Sequence, residues 1–176
     1  MTAPACETLK TVIRDIPDFP KKGIIFKDIT PVLQHPEHFK TVVDTLAQAL
    51  SKHKIDAIVG IESRGFIFSP VLAYKMGVGF IPVRKKGKLP HVCEQVAYAL
   101  EYGEAVLEIH RDALKRGMRV AVVDDLLATG GTALAAAQLV EKLGGKVEIF
   151  GFLVELLFLK GRERLSTYDI FSCIKY

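Results

Sequence analysis

The chain has only three cysteines in 176 residues, Cys6, Cys93 and Cys173. They are odd in number, far apart and outside any metal-ligand spacing, so a disulfide scaffold and a zinc module are excluded. Free thiols and a reducing, cytoplasmic setting are expected. No charged-then-apolar leader opens the sequence, and no apolar run is long enough to cross a bilayer, so no membrane role is expected. Internal repeats, low-complexity tracts and Ser/Gly linkers are also missing, which leaves a single domain over residues 1–176. The net charge of +4 is spread without a dense basic stripe. It suits anionic small molecules, and no nucleic acid partner is expected. Two common nucleotide signatures are missing as well: no Gly-x-Gly-x-x-Gly follows a strand, and no Gly-Lys-Ser/Thr is found.

What is present is a 49% hydrophobic composition organised into short apolar strands and helices. Residues 7–16 read as a short helix ending before Pro17, and an irregular arm follows through Ile24-Ile25-Phe26. Apolar positions recur at helical spacing from Glu37 to Leu50. Residues 55–61 read as a strand, followed by the turn Glu62-Ser63-Arg64-Gly65 and a helix to Met76. Phe80 to Val83 reads as a further strand that runs into the basic turn Arg84-Lys85-Lys86-Gly87-Lys88. A second unit repeats the pattern: a strand from Arg119 to Val123, an acidic loop, a helix from about Thr132 to Leu143, and a strand from Val147 to Val154. Alternation of this kind implies an α/β fold with a central, mostly parallel twisted sheet flanked by helices. Val96–Ala99 and Ala105–Ile109 flank Tyr102-Gly103 as an antiparallel hairpin, suited to a lid.

The most informative string is Val122-Val123-Asp124-Asp125-Leu126-Leu127-Ala128-Thr129-Gly130-Gly131-Thr132. Ligands of open α/β sheets sit at the carboxyl ends of strands. Asp124 and Asp125 offer acceptors there for the vicinal hydroxyls of a ribose. Small residues from Ala128 to Thr132 then lead into a helix whose first N–H groups and dipole favour a phosphate. Thr129 and Thr132 add hydroxyl donors. A solvated strand end with a helix cap would need neither the acidic pair nor the whole string.

This string resembles the phosphoribosyl pyrophosphate (PRPP) motif of type I phosphoribosyltransferases. Further segments look like the adenine-using members of that family: 17–20, 23–31, 62–66, 83–89, Leu100-Glu101-Tyr102-Gly103 and Lys160-Gly161-Arg162-Glu163. The resemblance implies their fold, with an N-terminal arm and base-recognition hood over residues 1–33 and a basic turn and flexible lid over 84–109. It implies transfer of phosphoribose from PRPP to adenine, giving AMP and pyrophosphate, with Mg²⁺ held through PRPP and waters rather than by direct protein ligands, in a homodimer. It assigns the ribose 5-phosphate and PRPP to Asp124, Asp125, Ala128, Thr129, Gly130, Gly131 and Thr132. Pyrophosphate falls to Ser63, Arg64, Arg84, Lys85 and Lys88; adenine falls to Ile25, Phe26, Lys27 and Arg64. Glu101 is the implied catalytic residue, and Tyr102 would help close the lid. Three departures stand out: Lys27 where Arg is expected, Glu62 where Asp is usual, and an atypical lid segment over 91–95, whose His91 and Cys93 read as lid surface. A transferase for another base, a PRPP-binding regulator and an inactive paralogue remain the alternatives.

Overall fold

A computed structural model describes residues 4–99 and 104–176. Glu101 and Tyr102 lie outside the described residues, as does the rest of the hairpin tip. The chain begins with a short helix α1 (Pro4–Glu7), a 3-10 turn (Thr8–Thr11), and strands β1 (Arg14–Pro17) and β2 (Ile25–Asp28). The expected helix over 7–16 therefore stops early. Residues 14–17 are instead drawn into an antiparallel pair with 25–28, including Asp15 opposite Lys27. A short helix α2 (Thr30–Gln34) and the longer α3 (Pro36–Leu50) follow, then β3 (Ala57–Ile61), α4 (Gly65–Met76) and β4 (Gly79–Lys85). The hairpin β5 (Cys93–Ala99) and β6 (Glu104–His110) precedes β7 (Arg119–Leu127), α5 (Gly131–Lys142) and β8 (Lys146–Glu155). A 3-10 turn (Leu157–Leu159), the single-turn α6 (Gly161–Arg164) and β9 (Asp169–Lys175) complete the chain.

Seven strands form one sheet in the order β5-β6-β4-β3-β7-β8-β9. The five from β4 to β9 run parallel. The hairpin joins them through an antiparallel seam of only two pairs, Arg84↔Glu108 and Lys85↔Leu107. It extends the same sheet yet remains outside its parallel part.

Period-two alternation sorts the apolar side chains onto two faces. On one face, Ile58, Ala121 and Val123 meet Val42, Leu46 and Leu50 of α3 and Phe68 and Leu72 of α4. On the other, Val59, Ile61, Val122, Phe150 and Phe152 meet Ala136, Leu139 and Val140 of α5. Burial on both faces explains why these strands read as nearly continuous apolar runs. The chain leaves β3 toward β4 on one side and later returns beside β3 as β7. Strand order therefore switches between β3 and β7, where an open α/β sheet forms its ligand crevice. No helix among the described residues is long and apolar enough to cross a membrane.

Candidate active site

The strand β7 continues four residues past the expected end at Val123, because its ladder with β8 runs on through Asp124↔Phe152, Leu126↔Val154 and Leu127↔Glu155. The acidic pair is thus held by sheet register rather than by a loop. Across the switch point, the turn after β3 brings Arg64 to it: Arg64 Nε lies 2.8 Å from Asp125 Oδ2. Gly65 makes this approach possible, since a Cβ there would sit 2.9 Å from both Asp124 Oδ1 and the Val123 carbonyl. Asp124 Oδ1 also accepts the Asp125 N–H at 2.8 Å. Burial, and next the neighbouring Asp125 charge, push the Asp124 carboxyl well above the usual range. Burial also raises Asp125, against the opposing pull of Arg64. Two carboxylates short of water in one crevice call for hydroxyl donors.

Directly beyond the pair, Ala128–Gly130 turn into α5 and wall a concavity of about 180 Å³ lined by Arg64 and residues 124–133. The first turn of α5 has no acidic side chain, so its unpaired N–H groups and dipole favour an anion. The Lys160-Gly161 turn packs against the backbone of this loop, at Ala128 and Gly130. A Cβ on Gly161 would land on the Ala128 carbonyl oxygen, so only glycine permits that contact.

The Glu62–Ser63 peptide is cis, and Ser63 is exposed beside Arg64. Glu62 turns away from the cup to organise the basic turn after β4. It accepts Arg84 Nη2 at 2.7 Å and the Lys85 N–H at 3.2 Å, while Arg84 Nη1 donates to the Lys88 carbonyl at 2.8 Å. The Arg84 hydrogen bond holds the Glu62 carboxyl below its ordinary range. Arg84 is therefore already paired, whereas the Lys85 and Lys88 side chains are exposed. The turn is braced further by buried Glu108, which accepts Gly87 N–H and Gln95 Nε2, each at 2.9 Å.

The third part is a cleft of about 860 Å³ between the β1–β2 hood and the sheet edge. Ile25, Phe26 and Lys27 line one side, and Leu126, Leu156 and Phe158 are among the residues facing them. The Arg64 guanidinium carbon lies 4.9 Å from the Phe26 ring centroid. The Lys27 ammonium is turned aside, 2.6 Å from Asp15 Oδ1 and over the Tyr176 ring. The structure thus places Arg64 against Asp125 and the Phe26 ring, with the cup and the hood cleft adjoining. The sequence did not reveal Leu126, Phe158 and Tyr176 as cleft walls, the Glu62 clamp, or Tyr98, whose hydroxyl accepts from Thr132 Oγ1 at 3.4 Å. Of these, only Leu126, lying inside the quoted string, and Glu62, already noted as a departure, left a local signal. His91 is exposed as expected, and the Cys93 thiol donates to its carbonyl at 3.1 Å.

Residues 29–174 match the family described as phosphoribosyl transferase domain. The adenine phosphoribosyltransferase of Roseiflexus sp. (strain RS-1) is 61% identical over 168 residues, covering 96% of this chain and 98% of that protein. The crystal structure of the adenine phosphoribosyltransferase from Thermoanaerobacter pseudethanolicus superposes with a TM-score of 0.95 at 57% identity, covering 97% and 99% of the two chains. That of the Saccharomyces cerevisiae enzyme, complexed with an imino-altritol bisphosphate and adenine, gives a TM-score of 0.90 at 44% identity, covering 96% and 98%. With the acidic pair, the anion cup and the hood cleft gathered at one sheet edge, the chain belongs to the adenine phosphoribosyltransferases of the phosphoribosyl transferase family.

Proposed function

We propose that the chain transfers the 5-phosphoribosyl group of PRPP to adenine, giving AMP and pyrophosphate, as a purine salvage enzyme. The observation that carries this reading is that the anion cup and the base-sized cleft adjoin: Leu126, Ala128, Thr129, Gly131 and Thr132 line both. A phosphate seated in the first therefore leaves its ribose, and the base joined to that ribose, directed into the second.

In this reading Ala128–Thr132 hold the 5-phosphate, and the Asp124 and Asp125 carboxylates accept the ribose hydroxyls. As the bond from ribose C1 to the pyrophosphate oxygen breaks, positive charge develops on the sugar and negative charge on the leaving group. Ser63 and Arg64, with Lys85 and Lys88 and the Arg84-braced turn, stabilise the leaving group electrostatically. Ile25, Phe26 and the Lys27 backbone, with Arg64, hold the purine so that its ring nitrogen attacks C1. That nitrogen loses its proton during attack, and Glu101 is the group assigned to handle it. Tyr102 belongs to the lid that keeps water from the sugar cation.

Mg²⁺ is part of the proposal. Among the described residues no group of three or more His, Cys, Asp or Glu is arranged to hold a metal ion. Asp124 and Asp125 beside substrate phosphates fit a hard cation bound mainly through PRPP and waters. Bound there, it would offset the charge of the departing pyrophosphate. The same reading carries a homodimer in the cytoplasm, as one domain with hood and lid appended.

The test is an assay of adenine, hypoxanthine, guanine, xanthine and orotate, each with PRPP and Mg²⁺, following nucleotide formation by chromatography. Adenine is expected to give the highest kcat/KM. Faster turnover of another base overturns the specificity, and no nucleotide from any base overturns the enzyme reading in favour of a regulator or an inactive paralogue.

A further inference from the structure

The hood has a mechanical problem. Among the described residues its two strands pair only with each other, in a sheet separate from the central one. An isolated two-stranded pair is marginal in water, so side-chain contacts must fix where it stands over the cleft. Adjacent residues on a strand point to opposite sides, and β2 uses this. Phe26 faces Arg64 on one side, while Lys27 reaches the end of β9 on the other. There the Lys27 ammonium sits 3.8 Å from the Tyr176 ring centroid and 2.6 Å from Asp15 Oδ1 of the paired strand. The Lys27 side chain is only 11% exposed, and a partly desolvated ammonium over an aromatic face makes a stronger cation–π contact than an exposed one.

Tyr176 is itself held firmly. Its N–H donates to the Glu155 carbonyl at 2.9 Å, and its carbonyl accepts the Leu157 N–H at 2.8 Å. Its hydroxyl donates to the Lys10 carbonyl at 3.4 Å. The ring also lines the cleft. The residue is thus anchored by backbone to the sheet edge and presents its ring to the hood.

We propose that Tyr176 is a positioning residue for base recognition: with Asp15 it clamps Lys27 and so fixes the height of the Ile25–Lys27 backbone over the cleft. Lysine at position 27 then stands where its ammonium meets a ring and a carboxylate at once. This rests on the adenine reading above, so two measurements are paired. In kinetics, Tyr176→Leu raises the KM for adenine about tenfold, while kcat and the KM for PRPP stay within about twofold. Tyr176→Phe keeps the ring and restores the adenine KM. Lys27→Met matches Tyr176→Leu, and the double variant adds little to either.

In hydrogen exchange of the chain without substrates, Tyr176→Leu speeds exchange across β2 about tenfold, and Tyr176→Phe does not. An active unsubstituted chain whose adenine KM is unmoved by Tyr176→Leu overturns the clamp alone. So does unaltered exchange across β2, or equal losses in every kinetic constant for both the Leu and Phe variants. An unsubstituted chain that ignores adenine overturns the functional reading, and the exchange measurement then still decides whether the clamp exists.

Discussion

Asp124 shows how a single residue can weaken the empty fold in order to bind. Its carboxyl is pushed well above the ordinary range by burial and then by Asp125. A carboxyl whose folded pKa exceeds its unfolded one holds its proton more tightly in the folded state, so its contribution to stability falls as pH rises from the ordinary aspartate range through the raised value. Near neutral pH the substrate-free chain therefore bears a cost at this position. Asp124→Asn removes it: calorimetric melting without substrates is expected to rise by about 2–4 °C, the scale of about 1 kcal/mol in a chain of this size. The same variant loses charge-assisted acceptors for a ribose hydroxyl, so titration calorimetry is expected to show PRPP affinity reduced about a hundredfold. Unchanged affinity would sink the diol assignment even if the melting temperature rose.

Among the elements, β3 and β7 share a backbone ladder, and at its end opposite the site Asp56, just before β3, is bonded to Arg119 at the start of β7. Asp56 accepts Arg119 Nε at 3.0 Å, Arg119 Nη2 at 2.7 Å and the Arg119 N–H at 2.9 Å. These hydrogen bonds bring the Asp56 carboxyl down to about 2. A depressed carboxyl stabilises the fold above its unfolded value of about 4 and ceases to do so as pH falls through the folded value. Asp56→Asn should therefore melt below the unsubstituted chain at about pH 5, with the gap closing toward about pH 2. A gap that stays constant with pH would mean the bridge acts by packing alone. The elements legible in the sequence were those whose signal is local. α3 and α5 carry helical periodicity, and β3, β7 and β8 are apolar because both sheet faces cover them. β1 was hidden because its pairing with β2 is a non-local choice that propensity does not encode. The tail of β7 was hidden because two aspartates argue against a strand until the β8 ladder is seen. The site divides in the same way. The string from Val122 to Thr132 was readable because strand, acids and cup are contiguous, whereas Tyr98, Phe158 and Tyr176 enter the cleft from distant elements.

Taken whole, the molecule concentrates its chemistry along one edge. The loops following β3, β4, β7 and β8 open on the same side, and the hood is laid across them, with Phe158 at the mouth of the cleft. Phe158 is 70% exposed there, although it is a large apolar side chain. The chain contains no tryptophan. Phe158→Trp would therefore install the sole indole of the protein at the mouth of the base cleft, with little packing to disturb. Its emission is expected to shift or quench on titration with adenine and to stay unchanged with inorganic phosphate, and a flat response to adenine would contradict occupancy of this cleft by the base. An exposed phenylalanine in a tryptophan-free chain thus becomes an optical window on the binding step, readable in real time and without turnover.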